Sequence, residues 1–166
     1  MPDSKYHLAQ VNVARLLAPL ESPLLAGFVA ALEPINALAD GSPGFVWRLQ
    51  TPDGDATSIR AFDDLMIIVN MSVWESLDAL GAFVYRSPHV RVMRDRKQWF
   101  AHMREAYMTL WWVRAGDLPT VEAAKERLEY LRAHGPTPYA FTFKRPFTPR
   151  QAEVAPPAGD AWLCPA

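Results

Sequence analysis

Apolar and polar residues alternate from Tyr6 to Val13, which predicts a first strand. Ser22-Pro23 then offers an N-cap followed by proline at the first helical position. Leu25, Phe28, Leu32, Ile35 and Ala39 recur every three or four residues and form one helical stripe, kinked by Pro34 and ended by Gly41. Gly44 to Gln50 reads as a second strand, with turn chemistry at Pro52-Asp53-Gly54, and Leu65 to Val73 as a third. Ser72 and Glu75 have capping-box spacing, so a helix is expected to begin there. It restarts at Ser87-Pro88 and carries Val92, Met93, Trp99, Phe100 and Met103. Tyr107 to Val113 is a fourth strand, and Thr120 caps a last helix that Gly135 ends. Ala140 to Lys144 suggests a short edge strand, and the Pro- and Ala-rich stretch from Thr148 a mobile tail. The domain is therefore expected over residues 1–147 and the tail over 148–166.

This order predicts an α+β fold, a ferredoxin-like antiparallel sheet with helices on one face. Strand parity sorts the two faces. His7, Ala9, Val11 and Val13, with Ile67, Val69, Met71 and Val73, form an aliphatic set that suits the helices. Tyr6, Leu8, Gln10 and Asn12, with Met66, Ile68, Asn70 and Ser72, form a mixed set expected to stay bare. Such a face is covered by a second copy of the sheet or encloses a ligand. A homodimer would do both.

Composition narrows the classes. A formal net charge of −1 gives no electrostatic case for nucleic acid or an anionic membrane. The longest apolar runs are broken by Pro, Glu or Asn or are short, so no membrane span is expected. The single cysteine, Cys164, rules out an intrachain disulfide and suits a cytoplasmic protein. No HExxH, CxxC, Gly-rich phosphate loop or Ser-His-Asp signature is present. His102 and Glu105 would sit one turn apart on a helix, which is too few ligands for a metal. Arg86, Arg91, Arg94, Arg96, Lys97 and Arg104 form a basic run that reads either as an anion site or as a solvated face.

Several segments resemble a bacterial family of unknown function: Pro43-Gly44-Phe45-Val46-Trp47-Arg48, Ser72-Val73-Trp74-Glu75-Ser76-Leu77, Tyr85-Arg86-Ser87-Pro88-His89, and Trp111-Trp112-Val113. That family is similar to the dimeric α+β-barrel superfamily, which includes the antibiotic-biosynthesis monooxygenases. The resemblance implies the ferredoxin-like fold and a homodimer. It implies oxygenase activity only through fold, which does not determine function. At His89 the superfamily pattern has a recurrent histidine, which could be a general base or a haem ligand. The reading that follows is a cofactor-independent monooxygenase acting on an electron-rich phenol or enol. His89 would be the base, and Asn12, Trp47, Asn70, Trp74 and Trp112 would be the substrate-binding residues. The alternatives are a non-catalytic dimer that binds a small hydrophobic or aromatic molecule, and a haem enzyme on the same fold.

Overall fold

The computed structural model describes residues 5–52 and 54–154. Four strands, β1 (Tyr6–Arg15), β2 (Phe45–Arg48), β3 (Ile67–Trp74) and β4 (Met108–Arg114), form one antiparallel sheet in the order β2-β3-β1-β4. A 3-10 turn (Pro23–Leu25) leads into α1 (Ala26–Asp40) between β1 and β2. Between β3 and β4 come α2 (Leu77–Arg86), α3 (His89–Asp95) and a 3-10 turn (Arg96–Gln98). After β4 the described residues form α4 (Val121–His134) and α5 (Pro149–Val154). The ferredoxin-like α+β fold read from the sequence is the fold found.

The helices, however, lie on both faces of the sheet. The aliphatic residues Ala9, Val11, Val13, Val69, Met71, Val73 and Trp111 are buried against Ala124 and Leu128 of α4, with Ile59 and Phe62 packed beside them. The mixed face expected to be bare lies beneath α1, α2 and α3. It is apolar at its two ends and polar only in the middle. At one end Leu8, Trp74 and Leu110 bury Ala39 of α1 and Leu80 of α2. At the other, Ala14 and Ile68 bury Leu25 and Trp99. Helix α1 is thus pinned at both ends and bridges the polar centre, which leaves a cavity beneath its middle. Parity sorted the strand residues correctly but could not say which set each helix would choose.

Local corrections have local causes. Ser72 does not cap a helix: β3 runs on to Trp74, and Ser76 caps α2 by accepting from Ala79 N at 3.1 Å. Residues 101–107 are not helical, so His102 and Glu105 share no helix face. Glu105 instead pairs with Arg132 at 3.4 Å. The edge strand expected at 140–144 reduces to a bridge between Phe141 and Leu110. The tail begins with α5, tied to β1 by the Tyr6 hydroxyl donating to Glu153. Residues 155–166, which include Cys164, lie outside the described region. By length and hydropathy alone the stretch Pro23–Asp40 would pass as a membrane span, despite Glu33 and Pro34. In the fold its inner side faces the cavity.

Gly44, between α1 and β2, has φ +81, and a Cβ there would stand 2.5 Å from that of Ala79. Its carbonyl accepts from Glu75 N at 2.7 Å, so the bend brings β2 directly against the start of α2.

Candidate functional site

The cavity measures about 280 Å³, near the lower end of small-molecule sites (~300–1,000 Å³). Its roof comes from α1, through Phe28, Ala31, Leu32, Ile35 and Asn36. One wall comes from Leu80, Phe83, Val84, His89, Val92 and Met93 of α2 and α3. Its floor is the sheet, through Gln10, Asn12, Asn70, Ser72 and Trp74.

The floor is a hydrogen-bond ladder across β1 and β3, where Gln10 lies opposite Ser72 and Asn12 opposite Asn70. Gln10 Nε2 donates to Ser72 Oγ at 2.9 Å and to Asn70 Oδ1 at 3.0 Å. Asn12 Nδ2 donates to Gln10 Oε1 at 3.1 Å and to Asn70 Oδ1 at 3.3 Å. Trp74 Nε1 donates to Ser72 Oγ at 2.9 Å. Both hydrogens of Gln10 Nε2 and both of Asn12 Nδ2 meet an oxygen, which orients the amides. Three groups carry no bond among the described residues: Asn70 Nδ2, Asn12 Oδ1 and the Ser72 hydroxyl hydrogen. The ladder therefore offers a bound molecule two amide hydrogens and one amide carbonyl.

His89 is placed by packing. Its ring stands 4.8 Å from that of Phe83, which in turn stacks at 5.1 Å on the fully buried Trp74. The Ser87 hydroxyl accepts from His89 N at 3.1 Å, which turns the chain into α3. Nδ1 lies 3.5 Å from the Val84 carbonyl, and donation there leaves Nε2 as the basic nitrogen. Burial pushes the imidazole pKa below its ordinary value, against a smaller upward pull from that carbonyl. His89 is thus neutral and proton-accepting at neutral pH.

Of the residues expected to form the site, Asn12, Asn70, Trp74 and His89 line this one cavity. Trp74 is a wall rather than a free donor, because Ser72 takes its indole hydrogen. Trp47 does not line the cavity: the strand is irregular between Phe45 and Trp47, and Trp47 packs with the aliphatic cluster on the other face. Trp112 keeps to the mixed face but is covered by the C-terminal segment, donating to the Phe147 carbonyl at 2.7 Å. Sequence reasoning missed Gln10 and Ser72 as site residues. Their signal was parity, since both fall on the same faces as Asn12 and Asn70.

Arg48 and Asp55 line the cavity at the β2 edge, Arg96 and Tyr107 at the β4 edge. Among the described residues no cluster of three or more His, Cys, Asp or Glu side chains could hold a metal ion.

In overall structure the chain is similar to a protein of unknown function from Nitrosomonas europaea (14% identity, TM-score 0.42) and to one from Pseudomonas aeruginosa (13%, 0.43). Both likenesses cover 70% of this chain and 98% of the other. A similar likeness joins it to a candidate antibiotic biosynthesis monooxygenase from Chloroflexus aurantiacus (16%, TM-score 0.40), covering 69% of this chain and 98% of that one. No curated protein matches it in sequence. The family model for DUF3291, a domain of unknown function, matches residues 7–156, and the chain belongs to that family.

Proposed function

We propose that the cavity binds a small aromatic or largely apolar molecule, and that the protein oxygenates it without a cofactor, as a monooxygenase acting on an electron-rich phenol or enol. The observation that carries this reading is that a neutral, half-buried His89 and the unpartnered Asn70 Nδ2 line the same largely apolar cavity. In this scheme His89 Nε2 takes the proton of the bound phenol, and the Asn70 amide hydrogens hold the resulting anion. A phenol seated against the apolar walls displaces water there, which strengthens both interactions. The phenolate then supplies the electrons for dioxygen. Overall, a ring C–H and the O–H become two carbonyls, one oxygen atom enters the ring, and the other leaves as water with both hydrogens.

A haem enzyme is the less suited alternative. His89 is the one imidazole that lines the cavity, but a porphyrin is larger than about 280 Å³. A Soret band in the purified protein would overturn the cofactor-free reading. Pairing with a second copy belongs to the same proposal, but not through a sheet face, since both faces are covered within the chain. The outward side of α1 and of the 3-10 turn before it supports it better, because Leu24 in the turn and Val29 in α1 stand 52% and 44% exposed. The net charge of −1 supports a small-molecule partner rather than nucleic acid, and a cytoplasmic setting is part of the proposal.

The test is dioxygen uptake with a dihydroxynaphthalene, using isotope-labelled dioxygen. The proposal expects protein-dependent uptake, one labelled atom in the quinone, and a loss of about 10²–10⁴-fold in His89→Gln. Binding without uptake would instead identify a non-catalytic ligand-binding protein.

A further inference from the structure

Two guanidinium groups line the cavity, and they differ in one respect. Arg48 is neutralised: its Nε lies 2.8 Å from Asp40 Oδ1, and its Nη1 donates to the Gly54 carbonyl at 2.7 Å. Arg96 stacks 4.4 Å over the ring of Tyr107 and has no carboxylate within ion-pair distance among the described residues. Its neighbour Asp95 faces Arg94 instead, at 3.7 Å. The order β2-β3-β1-β4 sets the two arginines at opposite edges of the sheet. The β2 edge also holds Asp55, whose carboxylate accepts from Thr57 N and Oγ1 at 2.9 and 2.6 Å. One end of the cavity therefore carries an excess of negative charge and the other an unpaired positive charge. Asn12 lies beside that positive end, since it pairs with Met108 and Val13 N donates to the Tyr107 carbonyl at 2.8 Å.

We infer that the ligand carries an acidic group, a carboxylate, seated on Arg96 at the β4 edge of the cavity. This rests on the reading of the cavity as the ligand site. A carboxylate enters a largely apolar space at heavy cost unless it is paired, and the guanidinium lying over the Tyr107 ring offers a fork of donors for it. The acid fixes which end of the molecule points to β4, which leaves the middle of the ligand over Asn70.

Calorimetric titration with naphthoate and with naphthamide, its neutral analogue, tests this. The wild type should bind naphthoate at least about tenfold more tightly. Arg96→Gln should remove that preference and leave naphthamide affinity within about twofold. Arg96→Lys, which keeps the charge but loses the fork, should retain part of the preference, and it serves as the test if the glutamine variant fails to fold. Equal binding of both probes to the wild type, or a preference that survives Arg96→Gln, overturns the acid site and leaves the cavity reading standing. Binding of neither probe overturns the cavity reading itself, and the inference with it.

Discussion

Gln10 donates through Nε2 to Asn70 Oδ1 across the β1–β3 seam at 3.0 Å, and spends its other amide hydrogen on Ser72. Gln10 and Asn12 together thus decide which way Asn70 points. With its carbonyl oxygen occupied by Gln10 and Asn12, Asn70 has only its nitrogen to offer the cavity. The polarity of the floor is set by a residue that itself has no free donor.

Gln10→Leu should therefore act on both stability and ligand choice. It takes one of the two acceptors of Asn12 Nδ2 and removes one donor each from Asn70 and Ser72, a loss of about 1–3 kcal/mol. Urea unfolding reads the stability. With one of the two donors to its oxygen gone, Asn70 should favour a phenolate over its methyl ether less strongly in binding titrations. Unchanged stability would mean that water replaces the bonds that Gln10 makes.

His89 should leave a pH signature in stability. Its folded pKa is lowered by burial from an ordinary value of about 6.5. Between the folded value and about 6.5 the unfolded chain binds more protons than the folded one. The stabilising difference is thus complete above about 6.5 and is lost as pH falls towards the folded pKa. His89→Gln should flatten that part of the curve of unfolding free energy against pH. An identical slope in wild type and variant would show that the imidazole is not desolvated.

Gly44 and Gly54 separate backbone conformation from crowding. Both have positive φ, +81 and +92, but a Cβ at Gly54 meets nothing within 4 Å, whereas one at Gly44 strikes Ala79. Each alanine variant should lose about 1 kcal/mol to conformation, and Gly44→Ala should lose more, with a melting temperature clearly below that of Gly54→Ala. Equal losses would mean that α2 moves aside at little cost.

The outward side of α1 carries the pairing proposal. Leu24→Asp combined with Val29→Asp should convert a dimer to a monomer in light scattering, while Asn70→Asp should leave the mass unchanged. If Asn70→Asp altered the mass, the mixed sheet face would be the interface after all.

Much of the fold was legible because it rests on local rules. Thr120 accepting from Ala123 N at 3.1 Å, Gly135 at φ +73 and the period-two pattern of β1 are all short-range features. What sequence left open was which face each helix covers. That choice depends on the apolar ends of the mixed face, Leu8 with Trp74 and Ala14 with Ile68, which bind the two ends of α1. No window along the chain contains that relationship. Trp47 faces the other side because β2 is irregular between Phe45 and Trp47, which no pattern in the sequence signals. Asn12 and Asn70 were legible because β1 and β3 keep strict alternation through the site.

The central claim is that the space beneath α1 is where a ligand sits, and one titration tests it most directly. Leu32 lines the roof of the cavity and Ala30, on the same helix, is exposed. Naphthol binding should be measured by calorimetry in the wild type, in Leu32→Trp, which fills the cavity, and in Ala30→Trp, which adds the same bulk outside it. The account predicts saturable binding that Leu32→Trp weakens at least about tenfold and Ala30→Trp leaves unchanged; equal affinity in all three proteins, or none in the wild type, would contradict it.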